Sequence, residues 1–324
     1  MNYKATIFPP HFTSQSDNLT ECERIIRQGI IAEQFLNPEM RCEFQVTTEL
    51  KKIWAVALDS LIKFDEICKK HHLRYFLAYG TLLGAVRHKG FIPWDDDMDV
   101  FMLREDYDRL LDLGDEFTYP YFLQTAHTDP GYFFSYAKLR NSNTTCITTQ
   151  FRYQKVNWGQ NFDIFPLDNF NPKDGEAFFA KVAELGTDLS NYMRSSNPNP
   201  STEEERKRIA CYSGRCPWEI YDELQQHARR YDAEPTDYLA VTSAYLYGFQ
   251  KGLFFKADFE DCIPCKFENV TSFIPKGYDR ILRIIYGDYR QFPPVEKRGI
   301  WHGNIIYNPD RPYIEVQHEA GIEY

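Results

Sequence analysis

The sequence predicts an α+β fold with a helical insertion, and three observations support this. A strong helical period runs over 48–72, where apolar residues recur at intervals of three and four with charges between them. Short apolar runs at 75–79 and 98–103 have the length of buried strands. Helical patterns return at about 174–194 and 217–231, on either side of a loop rich in proline and asparagine. One core carrying a helical insertion is therefore expected.

The remaining elements follow in chain order from the same periodicities. Residues 1–43 have no clear period and contain two consecutive prolines, which indicates an irregular arm with one short helix. Gly80 is expected to end the strand at 75–79, with a short helix at 82–87 and an amphipathic helix at 105–113. The later predicted segments are strands at 133–139, 144–149, 162–165 and 267–274, and a helix at 279–286.

No linker is long or polar enough to require a domain boundary. We therefore expect a single domain over 1–324, with a core at about 44–170 and 251–305 and the helical insertion at about 171–250. The insertion includes the aromatic run Tyr245–Phe249, which is expected to shape the side of the site that faces the second substrate or, alternatively, to be core.

Composition limits the function classes. The chain has 324 residues, 43% of them hydrophobic, and its net charge of −10 argues against a nucleic-acid-binding protein. Aromatic residues make up 16% of the chain, which is consistent with an aromatic-lined ligand pocket or with an aromatic-rich core.

The cysteines and the apolar segments indicate a reduced, cytoplasmic compartment. Eight cysteines in a chain of this length do not form a disulfide scaffold, and the C-x-x-C pair Cys262–Cys265 lacks a second pair with zinc-site spacing. The N-terminus has no apolar signal core, and the longest uncharged apolar run, 238–250, is too short to span a bilayer.

The strongest functional signal is the crowding of four aspartates into the five positions 95–99. Close carboxylates repel each other, and a divalent cation removes that repulsion. Side chains two apart on a strand share a face, so Asp97 and Asp99 should project together while Met98 and Val100 enter the core. The pattern therefore predicts a metal site that handles phosphate.

Two other interpretations of this run remain open. It could be a solvated acidic turn, or an EF-hand loop in which Asp95, Asp97 and Asp99 occupy ligand positions one, three and five. The EF-hand interpretation is weak because position six is Val100 rather than glycine, and position twelve is Asp106 rather than glutamate.

The segment before the acidic run has the features of a phosphate-binding turn. Gly80 lets a phosphate approach the backbone, Thr81 offers a hydroxyl, and a helix beginning at Leu82 would direct its N–H groups at the anion. The motif G-T-x-x-G is weak alone, but its position before D-x-D makes it fairly specific.

A third carboxylate and several cations lie near these motifs in the sequence. Asp163 interrupts an apolar strand and is the expected third metal ligand, or else a strand-edge aspartate. Lys138 and Arg140 share one strand face, and Arg87–Lys89 follow the predicted short helix. These cations are candidates for the phosphates of a donor, although each could be an ordinary surface charge.

These motifs resemble the LicD family of phosphotransferases, which includes the fukutin-related proteins. The resemblance covers roughly 48–170 and 265–305, and the stretch 171–250 has no such likeness. The segments that carry it are Tyr79–Val100, Lys138–Arg140, Phe162–Asp168, Tyr286–Tyr289 and Pro293–Pro294.

The resemblance implies a nucleotidyltransferase-like mixed sheet with flanking helices, Mg²⁺ or Mn²⁺ as cofactor, and transfer of a substituted phosphate. The donor would be a CDP-alcohol, with CDP-choline the leading candidate and ethanolamine, ribitol and glycerol head groups open. The acceptor would be a hydroxyl of a cell-surface glycan or glycolipid, as in modification of lipopolysaccharide, teichoic acid or capsule. A lipid-linked acceptor would bring the protein to the inner face of the membrane.

The resemblance and the nearby cations together give a set of site residues. The catalytic and metal-binding residues would be Asp97, Asp99 and Asp163. The residues expected at the donor are Gly80, Thr81, Arg87, Lys138 and Arg140. Aromatic candidates for a choline head group are Tyr79, Trp94, Tyr136 and Trp158.

Two alternative functions use the same fold. One is a nucleotidyltransferase that delivers the nucleoside monophosphate itself. The other is a non-catalytic nucleotide- or glycan-binding module, and the three intact carboxylates argue against it.

Overall fold

The computed structural model describes residues 19–243, 248–299 and 304–322, and its centre is a seven-stranded mixed sheet. The strands are β1 (Glu39–Arg41), β2 (Phe44–Val46), β3 (Phe76–Leu77), β4 (Asp99–Leu103), β5 (Tyr121–Gln124), β6 (Ala137–Asn141), β7 (Thr145–Thr148), β8 (Gln160–Phe170), β9 (Tyr238–Ala240), β10 (Leu253–Phe255), β11 (Cys262–Phe267), β12 (Val270–Pro275) and β13 (Ile305–Asn308). The helices are α1 (Glu21–Arg27), α2 (Thr48–Lys70), α3 (Tyr79–Arg87), α4 (Arg104–Leu111), α5 (Gly175–Arg194), α6 (Glu203–Tyr212), α7 (Pro217–Ala228), α8 (Gly248–Lys251), α9 (Tyr278–Tyr286) and α10 (Tyr313–Glu319). This mixed sheet with flanking helices confirms the predicted α+β class.

The long strand β8 organises the sheet. One of its edges pairs with β4 in parallel. Its other edge pairs with β6 and then with β9, both antiparallel. Strand β3 extends the sheet beyond β4, β10 extends it beyond β9, and β5 pairs with β6. Residues near the start of β8 therefore have a neighbouring strand on each side.

Helix α2 forms as the sequence predicts and covers one face of the sheet. The Thr47 side chain caps it by accepting a hydrogen bond from Leu50 N at 3.3 Å. Its apolar face is buried, and the ring of Phe64 packs edge-on against Phe162 of β8 with the centroids 5.2 Å apart. This core fixes the orientation of β8, so the opposite side chains of that strand point away from α2.

The turn before the acidic run differs from the prediction. We expected a strand to Tyr79, a break at Gly80 and a helix from Leu82. Strand β3 instead ends at Leu77, and α3 begins at Tyr79, whose φ of 41° is in the left-handed region. Because the chain turns at Tyr79, Gly80 and Thr81 lie in the first turn of α3.

Other differences concern short or locally ambiguous segments. The strand predicted at 267–274 is a hairpin of β11 and β12 that turns at Glu268 and Asn269, with a positive φ of 51° at Glu268 rather than at a glycine. Strand β5 and helix α6 were not predicted. The predicted strand at 133–139 is displaced from β6, and the predicted strand at 162–165 is shorter than β8.

The helical insertion has a core of its own. Helices α5 and α7 bury Phe178, Leu185 and Leu224, and this cluster also contains Phe133 and Phe170 of the segments leading from the sheet. The predicted helices at 174–194 and 217–231 are thus confirmed within two or three residues. The aromatic run at 245–249 lies outside the residues whose side chains are described, and the domain limits stay a prediction.

The structure also addresses the thiols and the apolar segments. All eight cysteines are free thiols, as expected. Over the described ranges, no helix is both long enough and apolar enough to cross a bilayer.

Candidate active site

Three of the charged side chains singled out in the sequence lie in one row across adjacent strands. Asp99 of β4 is the register partner of Asp163 of β8, and Asp163 is in turn the partner of Lys138 of β6. Adjacent strands are about 4.8 Å apart and partner side chains share a face, so the three groups are neighbours. Lys138 Nζ lies 2.5 Å from Asp163 Oδ1. Met98 and Val100 face the core, as the strand period predicts.

The carboxyl group of Asp99 is in a strongly negative, nearly dry environment. The residue is 8% exposed, and burial raises the pKa of its carboxyl well above the ordinary value, helped by the charges of Asp97, Asp163 and Asp95. A solvated acidic turn would not bury this group. An EF-hand is also excluded, because β4 follows the acidic run directly.

The backbone of Asp99 is held by the first turn of α3 and by Ala78, which caps that helix. Thr81 Oγ1 accepts a hydrogen bond from Asp99 N at 2.8 Å, and Ala78 N donates to Asp99 O at 2.9 Å. Thr81 is 4% exposed, so its hydroxyl fixes the strand rather than lining an open phosphate site. A Cβ on Gly80 would lie 2.7 Å from Asp95 Oδ2, so glycine at this position lets that carboxylate approach the helix.

The carboxylates suit a hard divalent cation in donor type and charge. Such ions take carboxylate oxygens, and a cation would relieve the burial and repulsion at Asp99. Within the described residues, however, no three His, Cys, Asp or Glu side chains are gathered closely enough to hold a metal as they are placed. Asp163 is paired with Lys138 instead. The residues therefore fit the cation chemically, and the ligand set Asp97, Asp99 and Asp163 remains a prediction.

Comparison with known proteins identifies this part of the chain. Residues 72–186 match the family model for the LicD/FKTN/FKRP nucleotidyltransferase domain. The chain is 28% identical over 262 residues to the lipopolysaccharide cholinephosphotransferase LicD of Haemophilus influenzae, an alignment that covers 80% of this chain and 97% of that protein. Residues 72–186 therefore form a domain of the LicD family.

Two further proteins share a shorter similarity with the chain. A stretch of 53 residues is 47% identical to uncharacterized proteins of Rickettsia prowazekii and Rickettsia typhi, covering 16% of this chain and 20% and 17% of those proteins. All the site residues predicted from the sequence lie inside the matched LicD domain.

Arg140 is part of the LicD domain site but does not reach its open face. The residue is 2% exposed and donates hydrogen bonds to Gln124 Oε1 at 2.7 Å, Gly159 O at 2.8 Å and Asn161 Oδ1 at 2.7 Å. Asn161 Nδ2 then donates to Asp163 Oδ1 at 2.6 Å. Arg140 therefore orients Asp163 through Asn161, which differs from the predicted contact with the donor.

Arg87 is not brought together with the carboxylates. It ends α3, whose nine residues span about 13 Å, and the acidic run meets the other end of that helix. Its guanidinium donates to the backbone oxygens of Tyr289 at 2.9 Å and Gln291 at 3.2 Å, and to His88 Nε2 at 2.9 Å. Arg87 thus belongs to a different part of the surface.

The aromatic candidates for a choline site differ in how deeply they are buried. Tyr79, Trp94 and Trp158 are at most 5% exposed and pack in the core. Tyr136 is half-buried, and the ammonium of Lys138 lies 5.3 Å from its ring centroid and 6.0 Å from that of Phe134. Phe134 was not predicted, although its spacing of two residues from Tyr136 was a usable signal.

The sequence reasoning missed three further residues of this region. Asn161 lies two positions before Asp163 on a strand, and that spacing alone could have indicated a shared face. Asp168 accepts from Arg104 Nε at 2.6 Å and is fully buried, so it anchors β8 to the start of α4. Tyr307 of β13 hydrogen-bonds Asp96 O at 3.5 Å, and no local pattern indicates a contact across so many residues.

Proposed function

We propose that this LicD-family protein is a metal-dependent phosphotransferase that moves phosphocholine from CDP-choline to a hydroxyl group of a cell-surface glycan. The cross-strand row of Asp99, Asp163 and Lys138 carries the proposal, because it combines metal-binding carboxylates with a cation for a phosphate. The relative from Haemophilus influenzae, which is named as a lipopolysaccharide cholinephosphotransferase, supports the choline head group and the glycan acceptor.

The three carboxylates share one role in this proposal, and Asp163 has a second role. Asp97, Asp99 and Asp163 would hold Mg²⁺ or Mn²⁺, which when bound neutralises the donor diphosphate and stabilises CMP as a leaving group. Lys138 and Asn161 both bond to Asp163 Oδ1. Asp163 Oδ2 has no partner among the described residues, so it is the atom placed to accept the proton of the acceptor hydroxyl.

Lys138 would also contribute to binding the donor. Its side chain is 13% exposed and adds the only positive charge of the three groups. The lysine ammonium can turn from Asp163 to a phosphate oxygen, which suits reversible binding of the donor diphosphate.

Phe134 and Tyr136 would bind the choline head group. Their ring faces already have the Lys138 ammonium at 6.0 and 5.3 Å, which is the range for cation–π attraction. A trimethylammonium group makes the same type of contact, worth about 0.5–2 kcal/mol.

The proposal is tested by incubating the protein with Mg²⁺, a lipopolysaccharide acceptor and each of CDP-choline, CDP-ethanolamine, CDP-ribitol and CDP-glycerol, and measuring products by mass spectrometry. Release of CMP with addition of the head-group phosphate to the acceptor, fastest from CDP-choline, is the expected result. Release of the free head-group phosphate with addition of CMP to the acceptor would instead identify a nucleotidyltransferase. Binding without turnover of any donor would identify a non-catalytic module.

A pair of variants tests the choline assignment. Tyr136→Leu removes the ring and should raise KM for CDP-choline by about 2- to 30-fold, whereas Tyr136→Phe keeps the ring and should not. If KM rises equally for CDP-glycerol, the ring does not recognise the quaternary ammonium, and the head-group assignment is wrong.

A further inference from the structure

A second cavity lies at the end of α3 that faces away from the catalytic carboxylates. It has a volume of about 480 Å³, within the range of small-molecule sites. We call it the basic cavity and define it by six of its lining residues: Arg41, Arg87, Lys89, Lys266, Glu268 and Phe292.

The only carboxylate of this set is already neutralised. Glu268 receives two hydrogen bonds from Arg41, Nη1 at 2.6 Å and Nη2 at 3.1 Å, and a third from Phe91 N at 3.1 Å. A Cβ on Gly90 would lie 2.0 Å from Glu268 Oε1, so glycine there lets the carboxylate approach the backbone. Arg41 also donates to Glu39 Oε1 at 2.8 Å, and Glu39 is paired with Lys51 as well. These two cations and two carboxylates cancel, so the charge of the cavity comes from the other cations.

Those other cations have no carboxylate to balance them. Over the described ranges, neither Arg87, Lys89 nor Lys266 forms an ion pair with an acidic side chain. The bonds of Arg87 use Nε and Nη1, which leaves Nη2 without a partner among the described residues. Burial and the charge of Arg298 lower the pKa of Arg87, as expected for a cation without an anion.

His88 orients the Arg87 side chain without adding a positive charge. Its Nε2 accepts from Arg87 Nε, and its ring stacks on Phe292 with centroids 5.3 Å apart. Burial and the charges of Arg87 and Arg41 lower the pKa of His88 to about 4, so it is neutral near pH 7. It can therefore hold the Arg87 guanidinium without repelling it.

The cavity is joined to the catalytic site by the chain itself. Pro93 is part of its wall and precedes Asp95 by two residues. Arg41 lies over the ring of Trp54 at 5.3 Å, and Trp54 Nε1 donates to Asp95 O at 2.8 Å. The wall of the cavity is therefore linked to the acidic run by two residues of chain and by the contacts of Trp54.

We propose that the basic cavity binds the phosphate group of a phosphorylated sugar, outside the metal site. The Arg87 guanidinium and the ammonium groups of Lys89 and Lys266 match a phosphate. The guanidinium lies 4.8 Å from the centroid of the Phe292 ring, and the exposed part of that ring gives the sugar an apolar surface beside the phosphate. Both the nucleotide of a donor and a phosphorylated glycan acceptor have this chemistry.

The test measures binding of glucose 6-phosphate to the full chain by calorimetry, in EDTA so that no divalent ion recruits phosphate to the carboxylates. Glucose 6-phosphate should bind saturably, and uncharged glucose should not. Lys89→Gln with Lys266→Gln should weaken binding about tenfold. The control, Lys173→Gln with Lys207→Gln, removes the same charge from exposed lysines of the helical insertion and should leave binding unchanged.

Competition identifies the source of the phosphate. If CMP displaces glucose 6-phosphate, the cavity binds the nucleotide of the donor; if CMP does not, it binds the acceptor. Equal binding of glucose and glucose 6-phosphate, or equal weakening in both double variants, would overturn the proposal. The experiment uses neither donor nor metal, so its failure is separate from failure of the proposed phosphotransfer.

Discussion

Replacing Thr81 by valine tests whether its hydroxyl holds the metal-binding strand. Thr81 Oγ1 accepts a hydrogen bond from Asp99 N at 2.8 Å, and the residue is 4% exposed, so water cannot replace the lost acceptor. A buried donor left without a partner costs about 1–3 kcal/mol, which is the expected fall in the free energy of unfolding of Thr81→Val. Valine keeps nearly the same volume, so no cavity contributes to this value.

Thr81→Ser is the matched control. Serine keeps the hydroxyl and loses one methyl group, which costs about 0.8 kcal/mol. Turnover should separate the two variants further, because misplacement of Asp99 by about 1 Å is expected to cost up to a hundredfold in rate. Thr81→Ser should retain most of its activity.

Two measurements decide the result. Urea unfolding followed by tryptophan fluorescence gives the free energy of unfolding, and CMP release from CDP-choline with Mg²⁺ gives kcat and KM. If Thr81→Val is as stable and as active as Thr81→Ser, the hydroxyl does not anchor Asp99. If stability is unchanged and only the KM for the donor rises, the hydroxyl binds the donor phosphate, as we expected from the sequence.

Four other predictions follow from groups near the sheet. Asp99→Asn should abolish CMP release and yet raise the melting temperature of the metal-free protein, because one charge leaves a crowded site; near-normal turnover would contradict the metal assignment. Excess EDTA should stop turnover and Mg²⁺ should restore it, whereas full activity in EDTA would exclude the proposed chemistry. Asp168→Asn should lower the free energy of unfolding by about 3–5 kcal/mol, since buried Arg104 loses its partner, and an unchanged urea midpoint would refute this. Burial raises the pKa of Asp59 from 3.8 to about 6, so this group binds its proton more tightly in the folded protein, and stability should fall by about 2–3 kcal/mol from pH 4 to pH 7; urea titrations of Asp59→Asn should lack that component.

Local sequence patterns predicted the parts of the site that depend on one strand. The period of two predicted that Met98 and Val100 enter the core, and both are buried. Strand β4 begins only at Asp99, so the shared face of Asp97 and Asp99 stays a prediction. The helical period predicted α2 for the same kind of reason.

Strand register could not be obtained in this way. The sequence placed Lys138 and Arg140 on one face, but it did not show that Lys138 would be opposite Asp163. Arg140 is buried on that face because Gln124 and Gly159, from other segments, accept its hydrogen bonds. Such partners are set by tertiary packing.

The prediction for the turn at Tyr79 was wrong for a different reason. Gly80 normally indicates that an element ends, and the prediction relied on that preference. The chain instead takes the left-handed conformation at Tyr79, a residue that rarely adopts it. The surrounding structure therefore overrides the local preference at the position where Thr81 must reach β4.

Strand β8 is shared by two cores, and this has a consequence for how the molecule can change. Phe162 packs in the core under α2, whereas Phe170, eight residues later, packs among the helices of the insertion. Asp163 lies between them on the same backbone. If the helical insertion were replaced by that of a homologue, the packing around Phe170 would therefore have to be preserved. Otherwise a displacement of β8 at Phe170 would also move Asp163, which lies on the same strand. Sequence variation in the insertion is therefore limited to substitutions that do not distort β8.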